Sequence, residues 1–294
     1  MARNAAPIEH YENFPVASWL CPPRLRPPVA AIYHFARTAD DIADEGDAPA
    51  TERTSDLLAY RADLFATAAG QPHSGRWLDV FDALAPMLVE WKLPLPLLDD
   101  LLSAFLQDVD YTAQARWYGT HAELLDYCRR SANPVGRLLL HLYAIDDPAS
   151  LAMSDQICSA LQLINFWQDL SVDIPRGRYY LPLNACAAHG VPASDLLAQR
   201  QTADATQLIA SEVHSTLALM HSGSQLPLQV PGRAGWELRL VVQGGLRILE
   251  RIEALHFATL NQRPVIGKSD VAVMLWRSLR MRRGQVVRNG TIRA

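Results

Sequence analysis

Apolar residues recur at helical spacing along nearly the whole chain, and short polar breaks separate the runs. This spacing predicts a first helix within "RPPVAAIYHFARTADDIADEG" (residues 26–46) and eight further helical runs. These runs cover residues 52–69, 77–92, 96–110, 121–143, 154–173, 193–220, 234–260 and 269–284. The connections contain Pro, Gly, Ser or Asn, as in "GQPHSG" and "NQRPVIGK". Because the sequence shows no alternating strand pattern and no solenoid repeat, we predict an all-α fold of about nine or ten helices.

Length and composition are those of a globular protein with one large core. The chain has 294 residues, of which 49% are hydrophobic and 20% are charged, so it can bury a sizeable core. We predict a single all-α domain over residues 1–284 and a basic tail at residues 285–294. The net charge of −4 gives no electrostatic footprint for nucleic acid, so we predict no nucleic-acid partner.

The C-terminal part of the sequence carries a local positive charge. No acidic residue follows Asp270, whereas six arginines do, at positions 277, 280, 282, 283, 288 and 293. The residues leave open whether this segment is a solvated tail or contacts anionic lipid or diphosphate. The four cysteines form no C-x-x-C pair, and no apolar run is long enough to cross a bilayer. We therefore predict a cytoplasmic protein and leave open its transient docking on the inner membrane.

The first helical run carries an acidic face. Four of its polar residues are separated by four, three and four positions, which places them on one side of a helix. They are Tyr33, Arg37, Asp40 and Asp44. Carboxylates at positions i and i+4 repel each other by roughly 0.2–0.5 kcal/mol per pair. Either this face lies in water or a cation lies between the carboxylates.

A second acidic face lies in "SDQICSALQLINFWQDLSVDIPRGRYYLP". Its polar residues are separated by three, four and four positions, and apolar residues such as Leu161, Ile164 and Phe166 surround them. They are Gln162, Asn165, Asp169 and Asp173. A face that holds only amides and acids among apolar neighbours is typical of a cavity wall rather than of a solvated surface.

Two acidic faces on two helices indicate opposing walls of one pocket. Buried carboxylates need compensation, and Mg²⁺ provides it because it prefers oxygen ligands and shares them between carboxylates, water and substrate phosphates. Arg37, Arg176 and Arg178 could then bind phosphate oxygens as forked donors. Other chemistries lack support, since the sequence contains no G-x-x-x-x-G-K-[ST], G-x-G-x-x-G, G-x-S-x-G or H-E-x-x-H motif.

The two acidic motifs resemble those of the squalene/phytoene synthase family. The second reads Q-x-x-N-x-x-x-D-x-x-x-D before "RGRYYLP", and the resemblance extends from His10 to about Lys268. It implies the isoprenoid synthase fold, with a central cavity and with Mg²⁺ bridging a prenyl diphosphate to both aspartate motifs. The metal ligands that it implies are Asp40, Asp44, Asn165, Asp169 and Asp173.

The resemblance also assigns roles to residues outside the metal ligands. Arg37 and Tyr33 match catalytic pocket residues one and two turns, respectively, before the first aspartates. His10 and Phe14 match an H-x-x-x-F motif, and Arg263 and Lys268 match late basic residues that contact diphosphate. The substrate-binding residues are then His10, Phe14, Arg37, Gln162, Asn165, Arg176, Arg178, Arg263 and Lys268.

Several departures from the family pattern point to one branch of it. In "RRSANPVG", Arg130 stands at the position of a usual tyrosine and Asn133 at that of a glycine, and Gln168 replaces an arginine. These changes resemble the branch that converts presqualene diphosphate and water into hydroxysqualene and diphosphate in hopanoid biosynthesis. Arg130, Ser131 and Asn133 are then candidates to hold the attacking water, although Asn133 could equally pack or cap at a kink before Pro134.

The resemblance implies a Mg²⁺-dependent carbon–oxygen lyase that works with two other enzymes. One would make the presqualene diphosphate, and a flavin-dependent reductase would form squalene from the product. Three alternatives stay open: head-to-head condensation of two farnesyl diphosphates to presqualene diphosphate, squalene or dehydrosqualene (a transferase); a non-catalytic assembly factor of the same fold; and a prenyl-extending or terpene-cyclising enzyme, which "INFWQDLSVDIPRGRYYLP" fits poorly.

Overall fold

A computed structural model describes residues 21–282, which form fourteen α-helices and no β-strand. The helices are α1 (Arg26–Asp44), α2 (Ala50–Ala68), α3 (Leu78–Glu90), α4 (Leu95–Ala113), α5 (His121–Ser131), α6 (Asn133–Leu142), α7 (Pro148–Gln168), α8 (Leu170–Asp173), α9 (Leu183–Ala188), α10 (Ala193–Leu197), α11 (Ala203–Gly223), α12 (Leu226–Gln229), α13 (Gly232–Ala254) and α14 (Lys268–Arg280). Ten of them have ten residues or more, which confirms the predicted all-α class and helix number. The predicted boundary at residue 284 lies outside the described residues.

Three predicted helical runs are divided in the structure, and the run over 234–260 ends at Ala254. The run over 121–143 is divided into α5 and α6 at Ala132, because Pro134 has no amide hydrogen to donate to the carbonyl four residues earlier, that of Arg130. The run over 154–173 begins earlier, where the Asp147 carboxylate accepts a hydrogen bond from the Ser150 amide at 2.9 Å. The run over 193–220 contains α10, a left-handed residue at Gln199, and α11.

The first half of the core lies between α1, α2, α3 and α4. Phe35 of α1 stacks on Tyr60 of α2 with ring centroids 5.2 Å apart, and Phe81 of α3 packs edge-on against Phe35. The Tyr60 hydroxyl donates to the Phe35 carbonyl at 3.0 Å, which satisfies the one polar atom of this buried ring. This packing fixes the apolar side of α1 and directs its acidic face elsewhere.

The second half of the core is built around α7, which packs on α5, α6, α11 and α13. The Trp167 indole donates to the Thr216 hydroxyl of α11 at 2.8 Å. At the end of α11 a Cβ on Gly223 would lie 2.6 Å from the Met153 carbonyl oxygen, so only glycine permits this approach. Helix α6 contacts both α4 and α7 and thereby joins the two halves.

A mainly apolar cavity of about 260 Å³ lies between the two halves. Its walls come from α1, α6, α7, α12 and α13, and they include Ile32, Tyr33, Leu139, Ile157, Leu161 and Leu238. The predicted central cavity is therefore present. Among residues 21–282, no helix is both long and apolar enough to cross a bilayer.

Candidate active site

The acidic face lies at the C-terminal end of α1, a helix that also borders the cavity. Tyr33 lines the cavity, and Arg37, one turn later, donates to an Asp40 carboxylate oxygen at 2.8 Å and lies 2.9 Å from Asp41. Asp40 and Asp44 occupy the last turns, where the helix dipole places partial negative charge and where the last turn itself contains no basic residue. This helix end is therefore a site where an added cation would be stabilised.

The second acidic face lies where α7 breaks. The helix is interrupted at Asp169, and α8 leads into a 3-10 turn at Ile174–Arg176. Pro175 has no amide hydrogen to continue the helix, and Gly177 adopts a left-handed conformation with φ of 78°. The chain reverses here, and the Arg178 amide donates to the Asp173 carbonyl at 3.0 Å. This turn directs the Arg178 side chain back towards α1.

Arg178 connects the two acidic faces. Its guanidinium forms an ion pair with Asp44 at the end of α1. Its positive charge also acts on Asp173, Asp40 and Asp108, in each case lowering the pKa against the effect of burial. The carboxylates that the sequence predicts to face each other thus lie around one arginine, so the structure brings the two motifs together.

The crowding of carboxylates raises their pKa values. Loss of solvation, followed by repulsion from Asp44, raises the pKa of Asp40 to about 6. Loss of solvation and repulsion from Asp169 raise the pKa of Asp173 to about 7, and Asp44 adds to that rise from the other helix. Because these carboxylates repel one another, a cation placed among them would be stabilised.

Arg263 reaches Asp169 from a distant part of the chain. Its Nε and Nη2 atoms lie 2.5 and 3.1 Å from the two Asp169 carboxylate oxygens. The Gln168 side chain donates to the Pro264 carbonyl at 2.8 Å and holds the same segment in place. The predicted contact of Arg263 with diphosphate stays a prediction. Lys268 is exposed at the start of α14 and has no ion pair with another residue of 21–282.

Asp108 of α4 belongs to the site, and the sequence analysis did not identify it. Tyr127 of α5 donates its hydroxyl to the Asp108 carboxylate. Burial, together with Asp44 and Asp40, raises the pKa of Asp108 to about 7. The signal in the sequence was a carboxylate that follows Leu101 and Ala104, both buried, on one side of α4. An acid on a buried helical face needs an explanation of this kind.

Aromatic rings border the acidic cluster. Tyr180, two residues after Arg178, stacks on Phe166 of α7 with ring centroids 3.7 Å apart and an angle of 11° between the planes. Tyr127 and Tyr118 pack around the same pair. This stacking anchors the "RGRYYLP" turn, and it presents aromatic surface beside the carboxylates.

The residues of "RRSANPVG" lie at the break between α5 and α6. Buried Asn133 accepts a hydrogen bond from the Ser159 hydroxyl at 2.9 Å and does not cap α6. Arg130 donates to Ser103 at 3.2 Å and to Gln107, so it joins α5 to α4. Within residues 21–282 neither Asn133 nor Arg130 lines the 260 Å³ cavity. Their catalytic assignment stays a prediction.

The other predicted residues are placed as follows. Gln162 and Asn165 are half-buried on α7, on the side that leads to Asp169. Arg176 is exposed, and its charge lowers the pKa of Asp173 against burial. His10 and Phe14 lie outside the described residues.

A divalent cation fits this donor set in one particular way. Across the part of the chain described, no three His, Cys, Asp or Glu side chains form a ready-made metal cage. Instead arginines separate the acids, which matches a cation held by one or two carboxylates together with water and a phosphate ligand. The oxygen ligands available for it are Asp40, Asp44, Asn165, Asp169 and Asp173.

The relatives that comparison with known proteins identifies agree with one another. The sequence profile of squalene/phytoene synthase matches residues 9–270. The hydroxysqualene synthase of Rhodopseudomonas palustris is 32% identical over 244 residues, which cover 82% of this chain and 80% of that protein. The presqualene diphosphate synthase of the same organism is 27% identical over 264 residues, with 90% and 91% covered. The crystal structure of squalene synthase HpnC from Alicyclobacillus acidocaldarius superposes with a TM-score of 0.76 at 35% identity and covers 84% of this chain and 90% of that one.

Proposed function

The chain belongs to the squalene/phytoene synthase family, and we propose that it converts presqualene diphosphate and water into hydroxysqualene and diphosphate. The C–O bond to diphosphate breaks, the cation rearranges, and a water oxygen bonds to carbon and releases one proton. The convergence of the two acidic faces around Arg178 carries this proposal. The similarity to hydroxysqualene synthases supports the choice of reaction.

Mg²⁺, held by Asp40, Asp44, Asn165, Asp169 and Asp173, would supply Lewis-acid stabilisation of the leaving diphosphate. The arginines of the site supply the rest of the positive charge. Guanidinium groups bind phosphate oxygens as forked donors, and Arg37 and Arg178 already lie among the carboxylates. They orient the diphosphate and stabilise its charge as the C–O bond breaks.

The apolar cavity would protect the carbocation. Its walls exclude bulk water, and Tyr33 stands where the cavity meets the acidic face. The face of Tyr33 can stabilise a cation through the ring quadrupole. Capture then needs a single held water. The buried Asn133–Ser159 pair and the Ser131 hydroxyl, which is buried without a hydrogen-bond partner, provide polar groups at the α5–α6 break.

The test is product identity with purified protein, Mg²⁺ and presqualene diphosphate in the absence of NADPH. We expect hydroxysqualene, with Asp173→Asn reducing its formation at least a hundredfold. Asp155→Asn is the matched control, since Asp155 lies on α7 but pairs with Arg137 at 2.6 Å outside the site. Turnover of farnesyl diphosphate alone, with presqualene diphosphate untouched, would contradict the proposal.

The similarity to presqualene diphosphate synthase favours a second candidate, the condensation of two farnesyl diphosphates. The same incubation with farnesyl diphosphate distinguishes the two reactions. A non-catalytic assembly factor would keep its function in cells after Asp173→Asn. In the proposed reaction, a presqualene diphosphate synthase would supply the substrate and a flavin-dependent reductase would convert the product to squalene.

A further inference from the structure

Helix α14 attaches to α13 mainly through ion pairs, and the Met274 side chain adds an apolar contact beside Gly244. Asp270 is fully buried, and Arg247 and Arg251 of α13 each donate to its carboxylate at 2.7 Å. Two helical turns after Asp270, Arg277 pairs with Glu250 of α13 at 2.5 Å. The side of α14 that faces the protein is therefore largely polar, the reverse of an ordinary surface helix.

The opposite side of α14 is apolar and exposed. Val271, Leu275 and Leu279 are spaced by four residues, and 47%, 49% and 63% of their surfaces are accessible. Trp276 beside them is 55% exposed. Just before the helix, Val265 and Ile266 are exposed as well. We call these six residues the docking face, because an apolar surface of this extent is typical of an interaction site.

Basic groups accompany the docking face. The Arg280 guanidinium lies 3.8 Å from the Trp276 ring centroid, and Arg282 is exposed. Lys268 is exposed at the other end of α14. No acidic residue follows Asp270 in the sequence, whereas six arginines do. The docking face thus combines aliphatic residues, a tryptophan and positive charge.

We propose that this face docks on a bilayer surface that carries anionic lipid headgroups. Apolar side chains enter the headgroup boundary, tryptophan prefers that depth, and each arginine near the surface gains attraction to anionic lipid. A second copy of the chain fits less well. A two-fold pairing of the same faces would bring Arg280 and Arg282 of both copies together with no acid on the face to compensate them.

The docking face is continuous with the acidic site. Arg263 holds Asp169, and Val265 and Ile266 follow within three residues. Docking would therefore place the segment that contacts the acids next to the lipid surface, which suits a protein whose ligands have long apolar chains. The docking inference itself rests on α14 and does not require the proposed reaction.

The test is co-flotation of the full-length protein with lipid vesicles. We expect binding to vesicles with one third phosphatidylglycerol, much weaker binding to pure phosphatidylcholine, and release by salt. Leu275→Ser should lower the partition coefficient roughly fivefold to tenfold, and Leu275→Ser with Leu279→Ser further. Leu58→Ser on α2 is the matched control, because Leu58 is 50% exposed against 49% for Leu275, and it should change nothing.

Three results would overturn the docking proposal. The protein could fail to bind anionic vesicles, the double variant could bind as well as the parent, or Leu58→Ser could reduce binding as much as Leu275→Ser does. Sedimentation velocity would show a dimer that Leu275→Ser dissociates if the face instead meets a second copy. Because the substituted side chains are exposed, thermal unfolding followed by circular dichroism should match the parent and exclude a folding defect.

Discussion

The two acidic faces of the site differ in how their charge is compensated. In α1, Arg37 of the same helix pairs with Asp40, and the helix continues unbroken to Asp44. In the second face the helix breaks at Asp169, and the partner of that carboxylate is Arg263, 94 residues away. Asp40 is thus compensated within its own helix, whereas Asp169, like Asp44 through Arg178, is compensated by the tertiary fold. A disturbance of the fold should therefore affect Asp169 before Asp40.

Arg178 is the side chain on which both faces depend, so its removal should have the largest effect. We expect Arg178→Met to lower kcat/KM at least a hundredfold, about 2.7 kcal/mol of transition-state stabilisation. Two residues earlier in the same turn, Arg176 is exposed, and Arg176→Met should cost less than tenfold. If steady-state kinetics gave equal losses of kcat/KM for the two variants, Arg178 would be no more important to the reaction than Arg176.

The raised pKa values of the acids predict how stability changes with pH. The pKa of Asp40 is about 6 and those of Asp173 and Asp108 are about 7, all above the 3.8 of a free carboxyl. The folded protein then binds more protons than the unfolded chain between about pH 4 and 7, so the free energy of unfolding should fall as pH rises through that window. Urea titrations at a series of pH values without divalent ions measure the slope.

The same titrations separate the two faces. Asp40→Asn should remove the part of the decline that ends near pH 6, and Asp173→Asn the part that extends to about pH 7. A stability that rises from pH 4 to 7 in both variants and in the parent would contradict the assignment.

Mg²⁺ with diphosphate at a hundredfold excess over its Kd should raise the free energy of unfolding by about 2.7 kcal/mol.

Tyr127→Phe should have an intermediate effect. It leaves the Asp108 carboxylate without the hydroxyl that donates to it, and an unsatisfied buried group costs about 1–3 kcal/mol. Tyr111→Phe is the control. Tyr111 also donates to a carboxylate, that of Glu123, but Glu123 keeps the Gly119 amide at 2.8 Å. Denaturant unfolding should show the larger loss for Tyr127→Phe, and the reverse order would show that Asp108 does not need its partner.

Arg263→Gln should change stability least. Its ion pair with Asp169 is partly exposed, and such pairs contribute about 1 kcal/mol or less. If Arg263 contacts the diphosphate, KM should rise while the melting temperature stays within a few degrees. A large loss of melting temperature with unchanged KM would make Arg263 a structural residue only.

The features of the fold and of the site that the sequence predicts are those with a local sequence pattern. Helical periodicity and the two acidic spacings are local, and they correctly predict the all-α fold and the convergence of Asp44 with Asp173. The break at Ala132 was present in the sequence as Asn133–Pro134, but the apolar period of the flanking residues concealed it.

Other features have no local signal. The bond between Asn133 and Ser159, the Arg130 contacts with α4 and the approach of Asp108 to the acids each join residues from different helices. A single sequence cannot specify which helices become neighbours. The inverted polarity of α14 has no local signal either. Its apolar residues form a stripe that predicts a core-facing side, whereas the structure buries Asp270 and exposes that stripe.

If both acidic faces bind one cation–diphosphate group, a double-mutant cycle across Asp44 and Asp173 should show that the two carboxylates are coupled. Calorimetry would give the affinity of the parent, Asp44→Asn, Asp173→Asn and the double variant for inorganic diphosphate with Mg²⁺. We predict that each single substitution weakens binding at least tenfold. The loss of affinity in the double variant should be smaller than the product of the two single losses, with a coupling free energy above about 1 kcal/mol. Strictly additive losses would mean that the two faces bind independently, and the two faces would then not share one cation–diphosphate group.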